Sequence, residues 1–189
     1  MDATERDQLD KILKFYEFAL RVRDPYENGH ARRVATLAVH LARNLGCDND
    51  LLVEVKYGAR LHDVGKIMLP VATLNKPVLT SEEFAEVKEH VTNGSKIFET
   101  LNINGGILCC IAESHENWNG TGYPNGKRGS EICYGARIVR ICDSYDAMTN
   151  DRPYGKKFTS FLALEEMEKW SLFYDPEILK VFVEMIKAT

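Results

Sequence analysis

Apolar residues recur at helical spacing along almost all of this 189-residue chain, and no stretch sustains the period-two alternation of a half-buried strand. That pattern predicts an all-α fold. Residues 9–20 place Leu9, Ile12, Leu13, Tyr16 and Leu20 on one helical face, and Asp24-Pro25 then breaks the run. From His30 to Leu45, His30, Val34, Leu37 and Leu41 fall in phase, and Gly46 ends the helix. Asp50 to His62 repeats the pattern through Leu51, Val55, Ala59 and His62. Gly65 closes that helix, and a loop with Pro70 and Pro77 is expected after it. Thr80 or Ser81 opens a helix to about Leu101, with Glu82 and Glu83 in the first turn, where the helix dipole favours acids. A short helix follows Gly105-Gly106 and ends near His115. Residues 119–130 hold four glycines and a proline and predict an irregular loop. Further helices are expected over Ile132–Met148, over Phe158–Lys169, and from Asp175-Pro176 to Lys187.

The residues that share these inward phases include several that are costly to bury. His30 and His62 lie on apolar faces, and Asp63 follows His62 directly. His90, His115 and Asp143 lie downstream. A buried, hydrogen-bonded histidine explains any one imidazole. It does not explain Asp63 and Asp143, whose carboxylates need a cation if buried. An imidazole nitrogen and a carboxylate suit iron, manganese, nickel or zinc, and the carboxylate's second oxygen can bridge to another metal. The chemistry this suggests is hydrolysis of a phosphoester. His30, His62, Asp63 and Asp143 are therefore expected to converge. His40 has no such company and reads as structural or surface.

Composition narrows the partners. A hydrophobic fraction of 44% supports a packed core, and a net charge of −4 argues against the basic face that DNA binding needs. No apolar run approaches a membrane span and no signal peptide is visible, so a cytoplasmic protein without membrane attachment is expected. The cysteines Cys47, Cys109, Cys110, Cys133 and Cys142 show no CxxC spacing and read as reduced thiols. Cys109, Cys110 and Cys142 read as small buried hydrophobes.

The segments LHDVGKI, KEHVTNGSKIF, HENWNGTGYPNG, ARIVRICDSYDAMTNDRPY and YDP together resemble the HD-GYP subclass of the HD phosphohydrolase superfamily, from about Asp24 to Phe182. The resemblance implies an all-α HD-domain bundle over 24–189, preceded by a helix at 1–23. It implies hydrolysis of cyclic di-GMP or a related cyclic dinucleotide by a cluster of two or three metals, iron or manganese favoured. By motif, His30, His62, Asp63 and Asp143 would hold the first metal, with Asp63 bridging. His90 and His115 would belong to the second. Lys66 would lie near the scissile phosphate; a surface cation is its other reading. Tyr123 of the Gly122-Tyr123-Pro124 triad would stack on a base or anchor its loop, and the triad's loop is a candidate contact for a GGDEF-type synthase. Arg152 would pair with a phosphate or with Asp151, and Lys156 and Lys157 stand beside Gly155, where the family has a basic residue.

The departures define a second reading. Ser114 replaces one imidazole of the family's paired histidines, Asn119 replaces an Asp, and Val91 replaces a Pro. A hydroxyl is a poor substitute for imidazole on iron or manganese. One tight metal and a weak or absent second are therefore expected. Two readings follow: a metal-dependent phosphodiesterase, or a weak or inactive signalling module that binds a nucleotide or a protein. A one-metal mononucleotide phosphohydrolase is a third. Glu27, Glu113 and Glu116 are the carboxylates that can replace the lost ligand.

Overall fold

A computed structural model describes residues 3–23, 29–101, 103–150 and 157–188. The described residues form an all-α bundle: α1 (Ala3–Arg23), α2 (His30–Asn44), α3 (Asn49–Leu61), α4 (Val71–Leu74), α5 (Ser81–Glu99), α6 (Gly105–Glu113), α7 (Tyr134–Thr149), α8 (Ser160–Lys169) and α9 (Pro176–Lys187). No strand occurs among them; Asn119 and Arg128 make an isolated antiparallel bridge across the glycine-rich loop.

Local chemistry fixes the helix starts. Thr80 and Glu83 form a reciprocal capping box at α5. Asp48 caps α3, and Asp175 caps α9 with Pro176 in its first turn. The expected loop after Gly65 contains structure too short for a periodic signal: a 3₁₀ turn at Val64–Met68 and the single-turn α4.

Two apolar clusters hold the bundle together. One joins α2, α3, α7, α8 and α9 around Val34, Leu41, Ile138, Met167 and Phe182. The other joins α1 to α3, α5 and α6 through Leu9, Leu13, Tyr16 and Leu20 against Tyr57, Leu61, Phe98 and Ile111. Glu17 of α1 also accepts hydrogen bonds from Arg32 of α2 and Arg60 of α3. Burial alone would raise the Glu17 carboxyl, but the two guanidiniums outweigh it and hold it below its ordinary value.

Close backbone approach positions the site. A Cβ on Gly65 would lie 1.9 Å from the carbonyl oxygen of His90 and 2.6 Å from the backbone nitrogen of Gly94. Glycine at 65 therefore lets the segment carrying His62 and Asp63 rest on the helix carrying His90.

Candidate metal centre

The helix expected to continue through His62-Asp63 to Gly65 stops earlier. Leu61 is the last residue of α3, His62 caps it, and Asp63 opens the 3₁₀ turn. Leaving the helix there allows two consecutive side chains to point the same way, which successive helical residues do not do.

Asp63 stands between two sets of ligand-type atoms. Its Oδ2 is 3.3 Å from His62 Nε2 and 3.9 Å from His30 Nε2. Its Oδ1 is 3.1 Å from His90 Nε2 and 3.8 Å from His115 Nε2. Asp143 Oδ1 completes the first side, 3.3 Å from His30 Nε2 and 3.8 Å from His62 Nε2. The atoms of His30, His62 and Asp143 lie within 4.8 Å of one another, and so do those of Asp63, His90 and His115.

Three of the imidazoles, those of His30, His62 and His90, are held by their outer nitrogens. His62 Nδ1 donates to the Ala59 carbonyl at 2.8 Å, and His90 Nδ1 to the Val87 carbonyl at 2.6 Å. A carbonyl only accepts, so each Nδ1 carries the proton and each Nε2 presents a lone pair inward. His30 Nδ1 lies 2.7 Å from the Asp146 carboxylate, which also pairs with Arg33. Such a second carboxylate behind a ligand imidazole orients the ring and raises its basicity.

The resulting interior needs positive charge. His90 Nε2 and His115 Nε2 face each other at 3.2 Å. His62 Nε2 and Asp63 Oδ1 are buried without a hydrogen bond of ordinary geometry. Burial opposes ionisation of Asp63, but His62, Lys66 and His115 outweigh it and hold its carboxyl well below the ordinary value. Asp143 is likewise held low, with His30 and His62 outweighing its burial. Burial pushes His115 down to about 4, so it is neutral at pH 7, as a metal ligand must be. Burial opposes protonation of His62, but Asp63 and Asp143 outweigh it and hold its imidazole above the ordinary value, a place a metal would take from the proton. Imidazole nitrogens and ionised carboxylates together fit divalent transition metals.

The other expected residues fall as follows. Lys66 faces inward, its Nζ 2.6 Å from Asp63 Oδ2. Tyr123 stacks on the His115 ring at 5.0 Å and 13°, and a Cβ on Gly122 would lie 2.5 Å from the His115 carbonyl oxygen. Ser114 is fully buried, and its hydroxyl donates to the Ile111 carbonyl at 3.3 Å. Glu113 instead binds Lys127 and the Cys133 N–H, and Glu116 accepts from the Asn125 N–H. Neither carboxylate joins the histidine sets. His40 is exposed. Glu27, Arg152 and Lys156 lie outside the described residues. Sequence reasoning missed Asp146, although its i, i+3 spacing from Asp143 on one helical face was a usable signal. It also missed Arg140, which lines a cavity of about 500 Å³ opening onto His115 and Asp143, with Trp170 and Phe173 on its wall.

The sequence matches the HD domain family description over residues 15–178. The chain belongs to the HD-domain family. Among the relatives of this HD domain, the Thermotoga maritima cyclic di-GMP phosphodiesterase is 36% identical over 187 residues, covering 96% of this chain and 50% of that protein. Cyclic di-GMP phosphodiesterase PA4108 of Pseudomonas aeruginosa is 35% identical over 169 residues, covering 88% of this chain and 41% of that protein. The HD domain thus spans half or less of the length of these two relatives. The fold also matches a solved cyclic GMP-AMP-specific phosphodiesterase of Vibrio cholerae (V-cGAP3), with a TM-score of 0.71, 18% identity, and coverage of 95% of this chain and 49% of that one. The motif resemblance to the HD-GYP subclass agrees with these matches. No helix among the described residues is long and apolar enough to cross a membrane.

Proposed function

We propose that this HD domain is a metal-dependent phosphodiesterase acting on a cyclic dinucleotide such as cyclic di-GMP. The observation that carries the reading is Asp63, whose two oxygens face two different sets of imidazoles. His30, His62, Asp63 and Asp143 would hold a tight metal, and His90, His115 and Asp63 a weaker one. Their nitrogen and carboxylate donors favour iron or manganese, with nickel and zinc also accommodated. When bound, such a metal polarises a phosphoryl oxygen and lowers the pKa of water.

The chain's own residues supply the rest. Lys66, beside Asp63, offers a cation to the charge that builds on the phosphate in the transition state. Arg140, which lines the cavity, is fixed by Asn117 and Ser144 and retains donors for a phosphate. Tyr123 packs flat on His115, which supports a positioning role for it before any stacking on a base. Arg152 and Lys156 would add phosphate contacts. The names of the relatives support the substrate class. With cyclic di-GMP and manganese, the wild type should yield the linear dinucleotide. Lys66→Ala should cut turnover more than substrate affinity, because its charge is most useful in the transition state. Equal losses of both would count against that role.

Ser114 favours a second reading. Its hydroxyl is committed to a backbone carbonyl, and among the described residues no further carboxylate joins Asp63, His90 and His115 in place of the missing imidazole. A domain without turnover would bind a nucleotide, or a GGDEF-type synthase through the Gly122-Tyr123-Pro124 loop.

A further inference from the structure

Cys109, expected as a small buried hydrophobe, meets Cys133, 24 residues further along the sequence. Cys109 lies on α6, and Glu113 follows one turn later. Cys133 is the N-cap residue of α7. The two sulfurs and a Glu113 oxygen all lie within 4.8 Å of one another. Tetrahedral zinc places two thiolate sulfurs about 3.8 Å apart, given a Zn–S bond of about 2.3 Å, so the cluster has close to the required size.

The carboxylate is aimed rather than merely near. Glu113 is 6% exposed, and its oxygens are held by Lys127 Nζ at 2.5 Å and the Cys133 N–H at 2.6 Å. Each oxygen retains a second lone pair for a metal. Cys109 and Cys133 are both partly exposed, which gives a cation an entry path.

We propose that Cys109, Cys133 and Glu113 form a separate site for a thiophilic divalent cation of the zinc type. Binding displaces one proton from each thiol to solvent and forms two sulfur–metal bonds and one oxygen–metal bond. Two thiolates and a carboxylate carry three negative charges; the cation and Lys127 carry three positive ones, so the closed site is neutral. Water fills the fourth position. The role is structural: α6 ends at Glu113, directly before Ser114-His115, and α7 carries Asp143 and Asp146, so the cation ties the helix that leads into His115 to the helix that bears the two aspartates. The site does not depend on the phosphodiesterase reading.

The test is cobalt(II) added to the reduced 189-residue protein. Thiolate ligation gives an intense near-ultraviolet charge-transfer band that imidazole and carboxylate ligation do not. The band should appear in the wild type, persist in Asp63→Asn, vanish in the Cys109→Ser, Cys133→Ser double variant, and bleach when zinc is added. Zinc should also protect Cys109 and Cys133 of the wild type from alkylation, mapped by peptide mass spectrometry, a readout that needs no variant. Absence of the band, or its survival in the double variant, overturns the site. Unchanged alkylation of both cysteines under zinc overturns it as well.

Discussion

Replacing Asp146 by asparagine tests whether the carboxylate behind His30 sets the strength of the tight site. Asp146 is 1% exposed, and its Oδ2 accepts from His30 Nδ1 at 2.7 Å. Its oxygens also accept from Arg33 at 2.7 and 2.9 Å and from Asn150 at 2.9 Å. Asparagine keeps the volume and one acceptor oxygen. It removes the charge and turns one acceptor into an N–H donor. That donor must face either His30 Nδ1–H or Arg33, and both are donors themselves. In either orientation His30 loses the negative charge behind its Nδ1–H, while His62 keeps the Ala59 carbonyl. Partners behind ligand imidazoles are typically worth about 10–100-fold in metal affinity. That corresponds to about 1.4–2.8 kcal/mol. Manganese titration against a competing chelator, on apo protein prepared without oxygen, should show this loss at the tight site. The weak site should change little, because His90 takes its support from Val87 and not from Asp146. Wild-type affinity at the tight site in Asp146→Asn would refute the reasoning, and so would equal losses at both sites.

Gly65→Ala forces a methyl against backbone atoms that cannot rotate away, so a cost of about 1–3 kcal/mol is expected. For a chain of this size that lowers Tm by about 2–12 °C in a circular-dichroism melt, and an unchanged Tm would contradict the close approach. Ser114→His should raise metal stoichiometry and turnover together; a second metal already held by the wild type would show that another residue replaces the lost imidazole. Glu17 has a depressed folded-state pKa, so its stabilisation is present above the unfolded carboxyl value and is lost as pH falls through the folded one. Glu17→Gln should therefore lower Tm at neutral pH and flatten the acid limb of the Tm–pH profile. A Tm deficit that stays constant down to low pH would contradict this.

Local signals in the sequence reached most of the fold. Thr80 with Glu83, and Asp175 with Pro176, mark helix starts because capping is decided within four residues. His30 and His62 were legible as inward because they share a phase with Val34 and Val55. The turn at Val64–Met68 and α4 were not, since neither spans enough residues for a period to repeat. Asp146 was hidden behind Asp143: both face inward one turn apart, and only the three-dimensional contact with His30 distinguishes the ligand-type carboxylate from its support. The pairing of Cys109 with Cys133 depends on how α6 meets the N-terminus of α7, and no spacing rule within the chain encodes that contact. Ser114 was legible as a missing imidazole, but its hydrogen bond to Ile111 was not.

The central claim is that Asp63 joins two imidazole sets into a hydrolytic metal centre. Its most direct test is metal analysis of protein purified without oxygen, followed by incubation of the same sample with cyclic di-GMP and separation of the products. The account predicts one tightly held transition metal per chain outside the cysteine site, slow formation of the linear dinucleotide, and acceleration when manganese is added. Asp63→Asn should lose both the metal and the product while remaining folded. Linear product formed at the wild-type rate by metal-free protein or by Asp63→Asn would contradict it.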